Sequence, residues 1–156
     1  FLLLGDVNEQ QQKYDDALDY AQAAITLYPE NPDGYIQLAS VYIEQEANLD
    51  RAVELTQFAT TLDKKPLPLQ SVIHAVALAY NGDFQSANQV IDEIDQAGIP
   101  ANADIAAQKS AYYYYRGLIA QLQEDIDGAR HYLEQAVAVD PNGAIGNQAQ
   151  QVLVTL

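Results

Sequence analysis

The 156-residue chain contains no cysteine and few basic residues. The absence of cysteine excludes disulfide bonds and thiolate metal sites, but it does not locate the protein, since both reducing and oxidising compartments tolerate cysteine-free chains. Seven Lys and Arg residues against 22 Asp and Glu residues leave a formal charge of -15. Such a chain repels phosphate backbones and anionic lipid headgroups, so nucleic acid is a poor candidate partner.

Long apolar runs and strand patterns are also missing. No apolar run approaches the roughly 20 residues that a membrane span requires, and the opening FLLLG is followed at once by Asp6 and a run of glutamines. We therefore expect no membrane insertion by this chain. No segment alternates apolar and polar residues convincingly, so the sequence predicts an all-α protein. Because the initiator methionine is absent, we expect residue 1 to lie inside a longer parent protein.

What the chain does contain is a recurring pattern of small residues. The aromatic, small, small and proline positions of the stretch from Tyr14 to Pro29 return three more times with the same spacing. The first small residue recurs at Ala17, Ala52, Ala87 and Ala129. Steps of 35, 35 and 42 residues indicate a repeat protein. Small residues on one face let two helix backbones approach closely, so the pattern predicts an α-solenoid of antiparallel helix pairs.

Turn signals divide the chain into four repeats and a terminal helix. We expect a single domain over residues 1–156, with repeats at about 1–31, 32–66, 67–101 and 102–143 and a capping helix at 144–155. In the first repeat, one helix should end near Gln11 and the next should begin near Tyr14 after a tight turn. In the third repeat, the NGD sequence at Asn81 predicts the turn between the two helices.

Three sets of residues stand at the spacing of the aromatic, leucine, glycine, tyrosine and alanine positions of the tetratricopeptide repeat. They are Phe1, Leu4 and Gly5; Tyr35, Leu38, Ala39 and Tyr42; and Tyr113, Gly117 and Ala129. The chain therefore resembles a tetratricopeptide repeat (TPR) array over nearly all of its length, which implies a right-handed superhelical solenoid. His74 and Arg116 depart from the resemblance, because they stand where the family usually has leucine.

The resemblance implies protein binding, because TPR arrays present a concave surface, built from the first helix of each pair, to an extended peptide or a partner helix. Here that surface would comprise Asp6, Glu9, Gln10, Ile36, Ser40, Ile43, Glu44, Val76, Tyr80, Tyr114, Leu118 and Gln121. The alternative for Ile43, Val76 and Leu118 is that they belong only to the core between repeats.

The charge of the expected partner follows from the residues on this surface. Chaperone-binding TPR proteins use lysine, arginine and asparagine there to hold a peptide's terminal carboxylate. In this chain Arg116 is the nearest base, and it falls closer to the packing face than to the groove. We therefore expect a neutral or basic protein segment with apolar anchors.

Four consecutive tyrosines, Tyr112 to Tyr115, cannot all face one core on a helix. We expect Tyr113 to pack inside while the others bury their rings and direct their hydroxyls to water. The alternative is an aromatic hot spot for binding, since tyrosine is enriched on binding surfaces.

The sequence favours a non-catalytic scaffold without cofactors. No Gly-rich phosphate loop follows a strand, and His74 and His131 lack the neighbouring ligands that a zinc site needs. Two alternatives to a free-standing binding scaffold stay open. The chain could be a regulatory or sensory segment of a larger multidomain protein, or a module for self-association into homo-oligomers.

Overall fold

The computed structural model describes residues 2–63, 68–98 and 105–156, with their side chains except those of residues 2–10, 68 and 105. Within these ranges the chain forms eight helices and no strand, which confirms the predicted all-α fold. The helices are α1 (Leu2–Leu27), α2 (Pro32–Glu44), α3 (Leu49–Leu62), α4 (Pro68–Tyr80), α5 (Phe84–Ala97), α6 (Ile105–Leu122), α7 (Ile126–Val139) and α8 (Ala144–Thr155). The right-handed superhelical winding stays a prediction.

The chain divides into two compact units, unit 1 at residues 1–65 and unit 2 at residues 66–156. In unit 1, α2 packs against both α1 and α3. In unit 2, α6 packs against α4, α7 and α8, while α4 also packs against α5 and α7 also packs against α8. The expected starts of the third and fourth repeats lie outside the described residues, and the expectation of a single continuous domain stays a prediction.

The first helix differs from its prediction. α1 continues through the turn expected between Gln11 and Tyr14, so that predicted turn is wrong. No Gly or Pro interrupts residues 6–28, and the Gln and Lys residues of this stretch are good helix formers. The side chain of Gln11 donates across the expected turn to Asp15 Oδ1 at 3.0 Å, and the next pair along the helix does the same. The polar run therefore extends the helix.

Small residues lie at the helix contacts of both units. The predicted positions that are fully buried are Ala52, Ala87 and Ala129. Gly117 brings α6 close to α7, because a Cβ added there would lie 2.7 Å from Leu133 Cγ. Ala17 is only half-buried, since α1 does not fold back to cover it.

Two turns of unit 2 repeat each other 42 residues apart. The amide of Asp83 donates to the Leu78 carbonyl at 2.9 Å, and the amide of Asp125 donates to the Ala120 carbonyl at 2.9 Å. Each aspartate then caps the following helix, accepting from the backbone amide three residues on at 3.1 Å and 3.0 Å. These matching bonds show that the α4–α5 and α6–α7 pairs have the same turn and cap geometry, as two copies of one repeat do.

The last helix covers the α6–α7 pair of unit 2. α8 has the bounds predicted for the capping helix. Its Ala149 is fully buried in one cluster with Leu133 and Ala136 of α7, and the rings of Tyr113 and Tyr114 pack against that cluster. The burial of these residues fixes α6 between its neighbours and decides which of its side chains remain accessible.

Candidate protein-binding surface

The predicted surface residues of unit 1 fall into three groups. The side chains of Asp6, Glu9 and Gln10 lie outside the described part of the structure. On α2, Ile36 and Ile43 are buried at 9% and 7% exposure, which favours a core role for both. Ser40 and Glu44 lie nearer the surface. Ser40 is half-buried, and its hydroxyl donates to the Ile36 carbonyl at 2.9 Å.

Among the acidic residues predicted for the binding surface, Glu44 is the one whose side chain the structure describes. It ends α2 and remains partly accessible to solvent. Burial of the rest of its side chain raises the pKa of Glu44 above the ordinary value of 4.5. Glu44 is one of the acids of unit 1 that a basic segment would meet at this end of α2.

The predicted residues of unit 2 separate into core and surface. Val76 on α4 is 1% exposed and belongs to the core, whereas Tyr80 at the end of the same helix is half-buried. On α6, Tyr114, Leu118 and Gln121 are all half-buried. These three residues follow one another by four and three positions, so they share a helix face. We call them the α6 face.

Tyr114 is held firmly in that face. Its ring packs against the buried cluster of α7 and α8, and it meets the ring of Tyr115 edge-on with a centroid distance of 5.4 Å. An aromatic ring that is fixed on one side and accessible on the other loses little side-chain entropy on binding. The α6 face therefore combines an anchored aromatic residue with an aliphatic and an amide side chain.

The four tyrosines divide their roles differently from the expectation. Tyr112 is the buried member at 4% exposure, whereas Tyr113, Tyr114 and Tyr115 are half-buried. The Tyr112 hydroxyl donates to Asp95 of α5, and burial together with this bond strongly raises the pKa of Tyr112. Tyr113 packs on the core cluster as expected, but the expectation that the Tyr112 hydroxyl reaches water is wrong, because that hydroxyl has a partner on α5.

Arg116 belongs to the same polar contact and not to the α6 face. Its guanidinium donates to Asp95 Oδ2 at 2.9 Å and lies 4.3 Å from the centroid of the Tyr132 ring, so it bridges α5 and α7. The side chain is 20% exposed. An arginine can replace the leucine usual at this position because its charge is paired with Asp95 and its guanidinium stacks on the Tyr132 ring. Sequence reasoning noted Arg116 but had no signal for its partners, which come from two other helices.

A small cavity lies beside Arg116, among α5, α6 and α7. Its volume is about 200 Å³, and its polar lining includes Asn88, Gln123 and Asp125. Gln123 donates to Asn88 Oδ1 at 3.2 Å across it. Pockets for small-molecule ligands typically measure about 300–1,000 Å³, so this cavity does not indicate a cofactor site. Among the described residues, no group of His, Asp and Glu side chains could hold a metal ion.

Comparison with known families agrees with this architecture. Models of the tetratricopeptide repeat match residues 9–64 and 110–142, together more than half of the chain. The chain belongs to the tetratricopeptide repeat family. TPR repeats are generally protein–protein interaction modules, and the family is typically a non-catalytic scaffold. No curated protein matches the chain. None of the described helices of this TPR protein is long and apolar enough to cross a membrane.

Proposed function

We propose that this TPR protein is a non-catalytic scaffold that binds a protein segment through first-helix surfaces, with the α6 face as the main contact in unit 2. The observation that carries the proposal is the accessible, core-anchored ring of Tyr114 beside Leu118 on a first helix of a TPR pair. Aromatic residues held in this way are the usual hot spots of protein interfaces.

Charge defines the partner further. Unit 2 contains ten Asp and Glu residues against three Lys and Arg residues, and one of those bases, Arg116, is paired with Asp95. An acidic segment would meet net repulsion, whereas a neutral or basic segment would be steered toward the surface. The bound segment is extended or helical and places an apolar or aromatic side chain against Tyr114 and Leu118.

The test begins with a displayed library of random peptides selected against the whole chain. A selected peptide is then titrated against Tyr114→Ala and Leu118→Ala. We expect at least one variant to weaken binding by about tenfold or more, as for a true hot spot. The control is His131→Ala, which removes an exposed ring of α7 and should leave binding unchanged.

Melting curves of each variant separate lost binding from lost folding, because Tyr114 also packs against the core. Gln121→Ala adds a milder change at the edge of the same face. Unchanged binding in all folded α6 variants would remove the α6 face from the proposal, and loss of binding in His131→Ala would move the contact to α7.

A further inference from the structure

A second accessible apolar surface lies in unit 1, on the side of α1 that α2 and α3 leave uncovered. Tyr20, Leu27 and Tyr28 are 76%, 70% and 66% exposed. Tyr20 and Leu27 are seven residues apart and therefore share a helix face, with the exposed Ala23 between them. We call Tyr20, Ala23, Leu27 and Tyr28 the α1 patch. Large exposed side chains in one contiguous patch mark interaction sites more often than scattered ones do.

The end of the α1 patch borders an open depression of about 490 Å³. Leu27, Tyr28, Pro29, Glu30 and Asn31 line it. This volume is within the range of binding pockets, and its lining pairs two large apolar side chains with one carboxylate. The depression can therefore receive one apolar or aromatic side chain while Glu30 faces a neighbouring cation.

The depression is preformed by the packing of unit 1. The Tyr35 hydroxyl donates to the Pro29 carbonyl at 2.9 Å, and the Tyr35 ring meets Phe58 edge-on with a centroid distance of 4.9 Å. Asn31 caps α2 by accepting from the Asp33 amide at 2.9 Å. Because α2 and α3 hold the turn in this way, little ordering cost remains for a ligand to meet.

The charged residues from Tyr14 through the α1 patch to Asp50 are all acidic. Residues 14–50 include eight Asp and Glu residues and no Lys, Arg or His. Asp16 lies one turn before Tyr20 on the same face, Asp19 lies one turn before Ala23, and Glu30 lines the depression. Lys13, the single base of α1, stands two turns before Tyr20. These acids therefore favour a positively charged binding partner at the α1 patch.

We propose that the α1 patch docks a basic segment of a partner protein, in which Lys or Arg residues flank an apolar or aromatic anchor. The anchor enters the depression between Leu27 and Tyr28, and the flanking cations meet Asp16, Asp19 and Glu30. A second copy of the chain is disfavoured as the occupant, since a symmetric contact would bring two acidic patches together. The site uses other residues than the α6 face and does not rest on the proposed function of that face.

The probe is the peptide KKLWLKK, with EELWLEE as its charge-reversed partner, titrated into the isotope-labelled chain. We expect KKLWLKK to cause saturable shifts of the backbone amides of Leu27, Tyr28, Glu30 and Asn31, and EELWLEE to cause none. Leu27→Ser or Tyr28→Ser should weaken KKLWLKK binding by about tenfold. Val154→Ser is the matched control, because Val154 is 80% exposed on α8 of unit 2.

A charge series completes the test. The double variant Asp19→Asn, Glu30→Gln should weaken binding of KKLWLKK less than Tyr28→Ser does. The same double variant should make peptide binding depend less on salt concentration. Equal binding of both peptides, shifts confined to α6, or no saturable shift at the patch would overturn the proposal. So would a dimer in sedimentation equilibrium that Leu27→Ser abolishes, since the patch would then be a contact between copies.

Discussion

Ala17 of unit 1 and Ala129 of unit 2 stand at equivalent repeat positions but have different environments. Ala129 is fully buried in unit 2, because α7 folds back on α6 and presses Leu133 against Gly117. Ala17 stands at the same place in the repeat of unit 1, but it is only half-buried because α1 continues straight through the expected turn. A repeated small residue therefore marks a position suited to close packing, and burial follows only where the chain turns to supply a partner helix.

The largest expected effect is at the α6–α7 contact of unit 2. Gly117→Leu should lower the free energy of unfolding by about 3 kcal/mol, at the upper end of typical overpacking costs. Even a Cβ would lie 2.7 Å from Leu133 Cγ, and Leu133 is fully buried and has little room to move. Urea unfolding followed by circular dichroism measures the change.

The matched control is Ala107→Leu, an exposed position on the same helix, which should change stability by no more than about 0.5 kcal/mol. If both variants unfold at the same urea concentration, α6 and α7 do not meet at Gly117.

Helix ends that carry local signals could be predicted from the sequence. The bounds of α7 and α8 follow from local signals: Asp125 caps α7, and the Asp140 to Gly143 stretch separates the two helices. The turn expected between Gln11 and Tyr14 is wrong because the glutamines and lysine there favour continued helix. The α4–α5 turn contains Gly82, whereas residues 6–28 of unit 1 contain no Gly or Pro that would end a helix.

The candidate surfaces were predicted less completely than the fold. The resemblance to TPR arrays placed Tyr114, Leu118 and Gln121 on one surface, but it could not separate surface from core at Ile43 and Val76, which are buried. That distinction depends on how neighbouring helices are positioned. The tertiary pairing of Arg116 with Asp95, 21 residues away, was equally beyond reach of local pattern.

A second prediction compares the two alanines directly. Ala129→Leu should cost roughly 1–3 kcal/mol of stability, because the added side chain must enter the α6–α7 contact. Ala17→Leu should change stability by no more than about 0.5 kcal/mol, because the half-buried site on α1 has room on its open side. The readout is the unfolding midpoint of each variant in urea.

These two variants decide between the continuous α1 and the helix pair predicted from the repeat. Similar large losses for Ala17→Leu and Ala129→Leu would show that the first repeat does fold back in solution. Similar small losses of stability in both variants would instead show that α6 and α7 do not make their close contact at Ala129.

The smallest expected effects are changes of stability with pH. Raising the pH should lower the stability contributed by Glu44 in unit 1 and increase the stability contributed by His74 in unit 2. Burial raises the pKa of Glu44 in unit 1 above 4.5 and lowers the pKa of His74 in unit 2 below 6.5, so each folded unit favours the neutral form. For Glu44, the unfolded chain releases its proton first, and stability falls as pH rises through 4.5 and the higher folded pKa. For His74, the unfolded chain binds its proton first, and stability falls as pH decreases below 6.5.

Glu44→Gln should therefore raise the melting temperature slightly at pH 7 and have no charge-related effect well below pH 4.5. His74→Gln should show its charge-related gain near pH 5 and lose it at pH 7 and above. Because Glu44 is still partly exposed, solvent screens its charge and keeps its change the smaller of the two. Differences in melting temperature between each variant and the parent, measured from pH 4 to pH 8, isolate these residues from the other carboxylates. If Glu44→Gln instead melts below the parent at pH 7 and the loss disappears at low pH, the Glu44 carboxylate stabilises the fold and its folded pKa is not raised.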